Sequence, residues 1–157
     1  MQKISPFLWF DHQAEEAALF YISVFPRSEM INVSRYGEGA PLPAGTVMSV
    51  SFVLDGVEFF ALNGGPMHTF SEAISFYVTA ENQQEIDAYW DALTAEGEPG
   101  QCGWLKDKFG LSWQIVPPIL SELLGDRDQE RAGRVMQAML GMTKIDIAGL
   151  HAAYEAP

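Results

Sequence analysis

Two separate stretches of the chain run through the same order of elements, and this repetition constrains the fold more than any single motif. In the first, "KISPFLWF" (3 to 10) reads as a strand and "DHQAEEAALFYISVF" (11 to 25) as a helix that starts near Asp11 or His12 and is stopped by Pro26. Ala14, Ala17, Ala18, Tyr21, Val24 and Phe25 give that helix an apolar face at helical spacing. Three more strands are expected, "SEMINVSRY" (28 to 36), "TVMSVSFVL" (46 to 54) and "VEFFALN" (57 to 63), with "GEGAPLPAG" (37 to 45) as a flexible loop. Asp55-Gly56 joins the last two strands, and type I′ hairpin turns favour such a pair because both positions need positive φ.

The order then recurs. "AISFYVTA" (73 to 80) reads as a strand, and "NQQEIDAYWDALTAEG" (82 to 97) as a helix with Asn82 and Glu85 at capping-box spacing and Gly97 at its end. "EPGQCGWLKD" (98 to 107) and "GLSWQIVP" (110 to 117) supply the remaining strands. Each helix carries an aromatic pair, Phe20-Tyr21 and Tyr89-Trp90, at a matching distance from the strand before it. Two copies of one β-α-β-β-β unit are more economical than a single long meander. The fold class is therefore α+β, with module one over 3–65, module two over 73–118, and the linker "GGPMHTFSE" (64 to 72) at their junction. Beyond Pro117-Pro118 the apolar spacing becomes helical. Residues 119–157 read as two helices either side of "GDRDQE" and a short third around "IDIAGLHAAY" (145 to 154), an extension expected to pack on its own sheet or on a partner subunit.

Composition excludes several functions. With 157 residues, 48% of them apolar, the chain suits one domain with a sizeable core. The 21 acidic against 9 basic residues give a net charge of −12, which repels nucleic-acid phosphates and anionic membranes. No apolar run reaches the roughly 18 residues of a membrane span, and "MQKISPFLWFDH" lacks signal-peptide character, so a cytoplasmic protein is expected. The single cysteine, Cys102, rules out an intrachain disulfide and has no histidine near it in sequence to make it a nucleophile. His12, His68 and His151 fall in a cap, a linker and a tail, without the spacing of a metal site.

The blocks "PFLWFDHQAEEAALFYISVFP" (6 to 26), "ALNGGP" (61 to 66), "AISFYV" (73 to 78) and "CGWLKDKFGLSWQIVP" (102 to 117) resemble the vicinal oxygen chelate superfamily of glyoxalases, extradiol dioxygenases and bleomycin or fosfomycin resistance proteins. More narrowly, the chain is similar to the PhnB-like branch, often labelled 3-demethylubiquinone 3-methyltransferase. "RAGRVMQAMLGMTKIDIAGLHAAY" near the C-terminus also fits that branch, so the likeness spans nearly the whole chain. The resemblance implies that the two modules form a U-shaped cleft. In the metalloenzymes of the superfamily, four inward His and Glu side chains hold a divalent metal there. The corresponding positions here fall near Ser5 or Phe7, near Ala61, near Ala73 or Ser75, and on Gln114; none is a metal-binding residue type, and no metal is expected.

Strand parity from Gln114 extends the candidate site. If Gln114 faces the cleft, Ser112 and Val116 do too, while Trp113 and Ile115 pack behind. The same reasoning turns Phe7 and Trp9 inward, with Phe59, Ala61 and Asn63, and with Ala73, Ser75 and Tyr77; Cys102, Trp104 and Lys106 line the far wall. The ligand-binding candidates are therefore Phe7, Trp9, Phe59, Asn63, Ser75, Tyr77, Trp104, Ser112 and Gln114, an aromatic set with a few amides and hydroxyls, typical of small-molecule sites. Phe7, Trp9 and Phe59 have core packing as the competing role, and Asn63 a turn. Asp107 and Lys108 are read as shaping a turn. No catalytic constellation can be assembled. "NGGP" is no cofactor loop, since proline follows its glycines and a linker comes next, so no cofactor is expected. The expected protein is a metal-free homodimer that binds a small apolar or aromatic molecule, with no reaction assigned. The alternative is an enzyme of the same superfamily, either the methyltransferase of the label or a metal-dependent lyase or dioxygenase.

Overall fold

Burial alternates along the first strand, β1 (Phe7–Phe10): Leu8 and Phe10 are buried, Phe7 and Trp9 are not. That two-residue period belongs to a sheet with one covered face. The computed structural model describes residues 1–157. The strand is shorter than expected; Pro6, just before it, has no N–H, though its carbonyl still accepts from Phe60. Helix α1 (Ala14–Val24) buries Ala14, Ala17, Ala18 and Tyr21, four of the six residues assigned to its apolar face, and Phe25 beyond its end is buried too. The helix begins later than Asp11 or His12. Gln13 occupies its N-cap without a side-chain bond, and a distant residue supplies the missing acceptor, as described below.

Strands β2 (Glu29–Arg35), β3 (Val47–Leu54) and β4 (Val57–Asn63) follow as an antiparallel meander. The β3–β4 turn is the expected Asp55-Gly56 pair, with φ of 47° and 80°. β4 ends beside β1, parallel to it, and the sheet order is β1-β4-β3-β2.

The second copy repeats this order. β5 (Phe76–Thr79), α2 (Gln83–Thr94), β6 (Glu98–Pro99), β7 (Trp104–Lys106) and β8 (Ser112–Val116) form a sheet ordered β5-β8-β7-β6, with β5 parallel to β8. Asn82 caps α2 by accepting from the Glu85 N–H, and the Glu85 carboxylate reaches back to the Glu81 N–H, a capping box displaced by one residue on its return arm. The chain divides into two compact units, Met1–Phe70 and Ser71–Pro157.

The C-terminal helices α3 (Pro118–Leu124), α4 (Gln129–Leu140) and α5 (Ile147–Glu155) belong to the second unit. They bury Leu120, Leu123, Val135 and Leu150, with Ile145 from the segment between α4 and α5, against Val116 at the end of β8, so the extension packs on its own sheet. Two carbonyls between α4 and α5 then hold the turn before β7. Met142 O accepts from the Cys102 N–H and Thr143 O from the Gly103 N–H, each at 2.8 Å. Gly103 has a φ of 85°, and a Cβ there would lie 2.9 Å from the Ile115 carbonyl and 3.0 Å from Ile145 Cγ1. A Gly103→Ala protein is expected to lose about 2 to 3 kcal/mol through left-handed strain and overpacking. A urea titration reads this directly as a lower midpoint with an unchanged slope.

Candidate functional site

Cross-strand register decides which side chains share a face of each sheet. In the second unit Tyr77 pairs with Gln114, and Gln114 with Trp104, so these three form one row across β5, β8 and β7. The next row on that face joins Lys106 to Ser112. The opposite face carries Phe76, Trp113 and Leu105 in one row and Val78 with Ile115 in the next, and α2 packs on β7 and β8. Trp113 and Ile115 are buried at 3% and 0% exposure. Ser75, Tyr77, Trp104, Ser112 and Gln114 thus come together on the face turned away from α2. Gln114 is half-buried; its Nε2 donates to Ser75 Oγ at 2.9 Å, while its Oε1 accepts nothing. Tyr77 is exposed and Trp104 half-buried.

Lys106 and Ser112 differ sharply in their satisfaction. Lys106 forms an ion pair with Glu72, just upstream of β5. The hydrogen bond from Lys106 holds the Glu72 carboxyl below the usual carboxylate range, and the same bond raises Lys106 above the usual ammonium value. Ser112 is 1% exposed, and its Oγ is the one buried side-chain polar atom without a hydrogen-bond partner. A cavity of about 400 Å³ opens there, with Glu72, Glu98, Gln101, Trp104, Lys106 and Ser112 in its lining.

The first unit corrects the parity reading. β1 pairs with β4 as Phe7 with Phe60, Leu8 with Ala61, Trp9 with Leu62 and Phe10 with Asn63. Phe7 and Phe60 stack with centroids 5.7 Å apart. Phe59, Ala61 and Asn63 therefore lie with Leu8 and Phe10 on the covered face, and Phe60 and Leu62 accompany Phe7 and Trp9. The apolar run Phe59-Phe60-Ala61-Leu62 has no polar alternation to mark which face is covered, so sequence parity had no anchor there.

Phe59 packs on Phe52 with centroids 5.5 Å apart. Asn63, 3% exposed, is a structural residue: its Oδ1 accepts from the Ala14 N–H at 2.8 Å and its Nδ2 donates to Val47 O at 3.1 Å. This is the acceptor that the start of α1 lacked. Trp9 is pinned by its own bond to Gly65 O at 2.9 Å, and its ring lies so close to Gly64 that a Cβ there would sit 2.3 Å from Cζ2. His68 is exposed and meets the Trp9 ring edge-on at 4.8 Å.

Asp107 does more than shape a turn. It is 3% exposed, and its carboxylate accepts from the Phe109 and Leu111 N–H groups at 2.8 and 3.1 Å and from Trp113 Nε1 at 2.9 Å. Glu72 was absent from the sequence candidates because it precedes β5 in the linker, where no periodicity marks it.

A divalent metal finds poor donors here. The face bearing Gln114 offers an amide, hydroxyls, aromatic rings and an ammonium, its cavity adds two carboxylates, Glu72, which is paired with Lys106, and Glu98, and the Phe7 face adds Phe60 and Leu62. No group of three or more His, Cys, Asp or Glu side chains converges anywhere in the chain. First-row divalent sites use imidazole, thiolate or carboxylate donors, so these residues do not fit such an ion.

A chain of two β-α-β-β-β modules with this sheet order has the glyoxalase and bleomycin-resistance type of fold. Residues 2–116 match the family described as 3-demethylubiquinone-9 3-methyltransferase, and the chain belongs to that family, within the vicinal oxygen chelate superfamily. The match ends with β8, so the three C-terminal helices lie outside it, contrary to the expectation of a likeness over nearly the whole chain. A PhnB protein from Bacillus cereus carrying the 3-demethylubiquinone-9 3-methyltransferase label is 41% identical, with a TM-score of 0.69 over 74% of this chain and 99% of that one. Protein PA1353 from Pseudomonas aeruginosa is 19% identical, with a TM-score of 0.62 over 74% and 98% of the two chains. The fosfomycin resistance protein FosX from Listeria monocytogenes, solved with Mn(II) and sulfate, is 17% identical, with a TM-score of 0.51 over 79% and 97%. The last two are similar in fold alone. No protein of curated description matches the chain. No helix is long and apolar enough to cross a membrane.

Proposed function

We propose that the face of the second sheet turned away from α2 binds a small apolar or aromatic molecule without the help of a metal. One arrangement carries this reading: Gln114, held by Ser75 through its nitrogen, shares one cross-strand row with Tyr77 and Trp104, and its carbonyl oxygen is left for a ligand. An amide oriented by one partner and flanked by flat apolar surfaces can fix a ligand's polar end while the rings cover its body. The donor types speak against the metal chemistry of distant fold relatives, and the methyltransferase label comes with the family rather than from a recognisable cofactor loop in this chain. In the same reading the protein acts as a homodimer, supported by the exposed aromatic surface around Phe7, which is 58% accessible and stacked on Phe60.

A thermal-shift screen of aromatic amides, phenols, quinones, thiols and S-adenosylmethionine tests the reading. An aromatic ligand at ten times its Kd is expected to raise the melting temperature by roughly 3 to 6 °C. Gln114→Leu is expected to weaken that ligand about tenfold. Stoichiometric Zn, Mn, Fe or Ni in the purified protein would overturn the metal-free reading, and saturable stabilisation by S-adenosylmethionine would replace it with methyl transfer.

A further inference from the structure

We propose that the cavity beside β7 is the body of that site, and that it selects an uncharged, flat, apolar molecule presenting one hydroxyl or carbonyl oxygen to Ser112. The inference rests on the small-molecule reading above and narrows the class of ligand. Its starting point is Ser112, a residue that lines a hollow of about 400 Å³ and whose Oγ is buried and without a partner. Buried hydroxyls are normally satisfied, and one that is not marks a place where another group is to be supplied. The hollow lies within the roughly 300 to 1,000 Å³ of small-molecule pockets.

Charge sets the rest of the selection. Lys106 is the only basic side chain in the lining, and Glu72 already occupies it. Glu98 adds a second carboxylate. An anionic ligand would have to share Lys106 with Glu72 and face two acids with one base, so phosphate, sulfate and carboxylate heads are disfavoured. A neutral oxygen meets no such opposition, and a serine hydroxyl can either donate to it or accept from it. Trp104, half-buried beside Lys106, offers the flat surface against which an aromatic body stacks.

The test uses four probes with one body: 2-naphthol, naphthalene, 2-naphthoate and 2-naphthyl phosphate. Each is titrated into the full-length, 15N-labelled protein and followed by the Ser112 amide and Trp104 indole resonances. 2-Naphthol is expected to bind about tenfold tighter than naphthalene, the value of one good hydrogen bond, with both anions weaker than naphthalene. In Ser112→Ala, which removes one oxygen and leaves nothing unsatisfied, naphthol should fall to the naphthalene level. Absence of saturation by 2-naphthol up to its solubility limit overturns the inference, as does a preference for either anion. A naphthol preference that survives in Ser112→Ala overturns it as well. If binding instead maps to Gln114 and Tyr77 and is lost in Gln114→Leu but not in Ser112→Ala, the small-molecule reading stands and only the role given to Ser112 falls.

Discussion

Replacing Asp107 by alanine is expected to remove about 3 to 5 kcal/mol of stability, because it strands two buried donors and a half-buried one at roughly 1 to 3 kcal/mol each, partly relieved by relaxation. The side chain binds the Phe109 and Leu111 N–H groups within the β7–β8 turn and the indole of Trp113 behind the sheet. Backbone bonds from the Asp107 N–H to Leu111 O and from the Gly110 N–H to Asp107 O remain, so the turn keeps its path while its interior loses its acceptor. Against a typical total of about 5 to 15 kcal/mol the loss is large, and the melting temperature should fall by roughly 6 to 20 °C. Asp107→Asn, whose amide keeps one acceptor oxygen, should lie between the two. A melting temperature for Asp107→Ala within a degree of wild type would show that these bonds do not hold the hairpin. The stakes reach the site, because this turn sets β7 against β8 and hence Trp104 beside Gln114 and Lys106 beside Ser112.

Asn63→Ala is expected to cost about 2 to 4 kcal/mol, for the same reason at a different place. It leaves the Ala14 N–H at the start of α1 and the Val47 carbonyl without their side-chain partner. Hydrogen exchange gives a readout specific to the bond. The Ala14 amide should lose its protection, whereas Ala17, whose N–H bonds to the Gln13 carbonyl, should keep most of it. Unchanged protection at Ala14 would mean that the amide does not cap the helix. A fall in urea midpoint without that local signature would point to a general packing loss. In either case Asn63 acts within the first module and away from the face that carries Phe7 and Trp9.

Both residues stand in the sequence where a turn is explanation enough for them. Asp107 stands in "KDKFG", where Asp before a glycine turn has an ordinary local explanation, and nothing local reveals that its carboxylate is buried under Trp113. Asn63 stands before Gly64-Gly65, again a turn context; its partner Ala14 lies 49 positions away. Long-range hydrogen bonds leave no period in a sequence. The second module was easier to read. Gln114 and Ser112 are the two polar residues of the otherwise apolar β8, two positions apart, and that spacing marks the parity of β8 and, through parallel pairing, of β5.

What the sequence by itself determined is the architecture: two β-α-β-β-β units, the Asp55-Gly56 hairpin, the Asn82 cap and the helical extension. Each of these is written in local spacing and in turn or cap chemistry, where a few adjacent residues choose their own backbone angles. Only the tertiary structure decided which face of β4 is covered, that Ser75 receives the Gln114 amide, and that Ser112 is buried with its hydroxyl unspent. Those outcomes depend on register between strands far apart in the chain, and an apolar strand such as Phe59-Phe60-Ala61-Leu62 satisfies either register until its neighbours close around it.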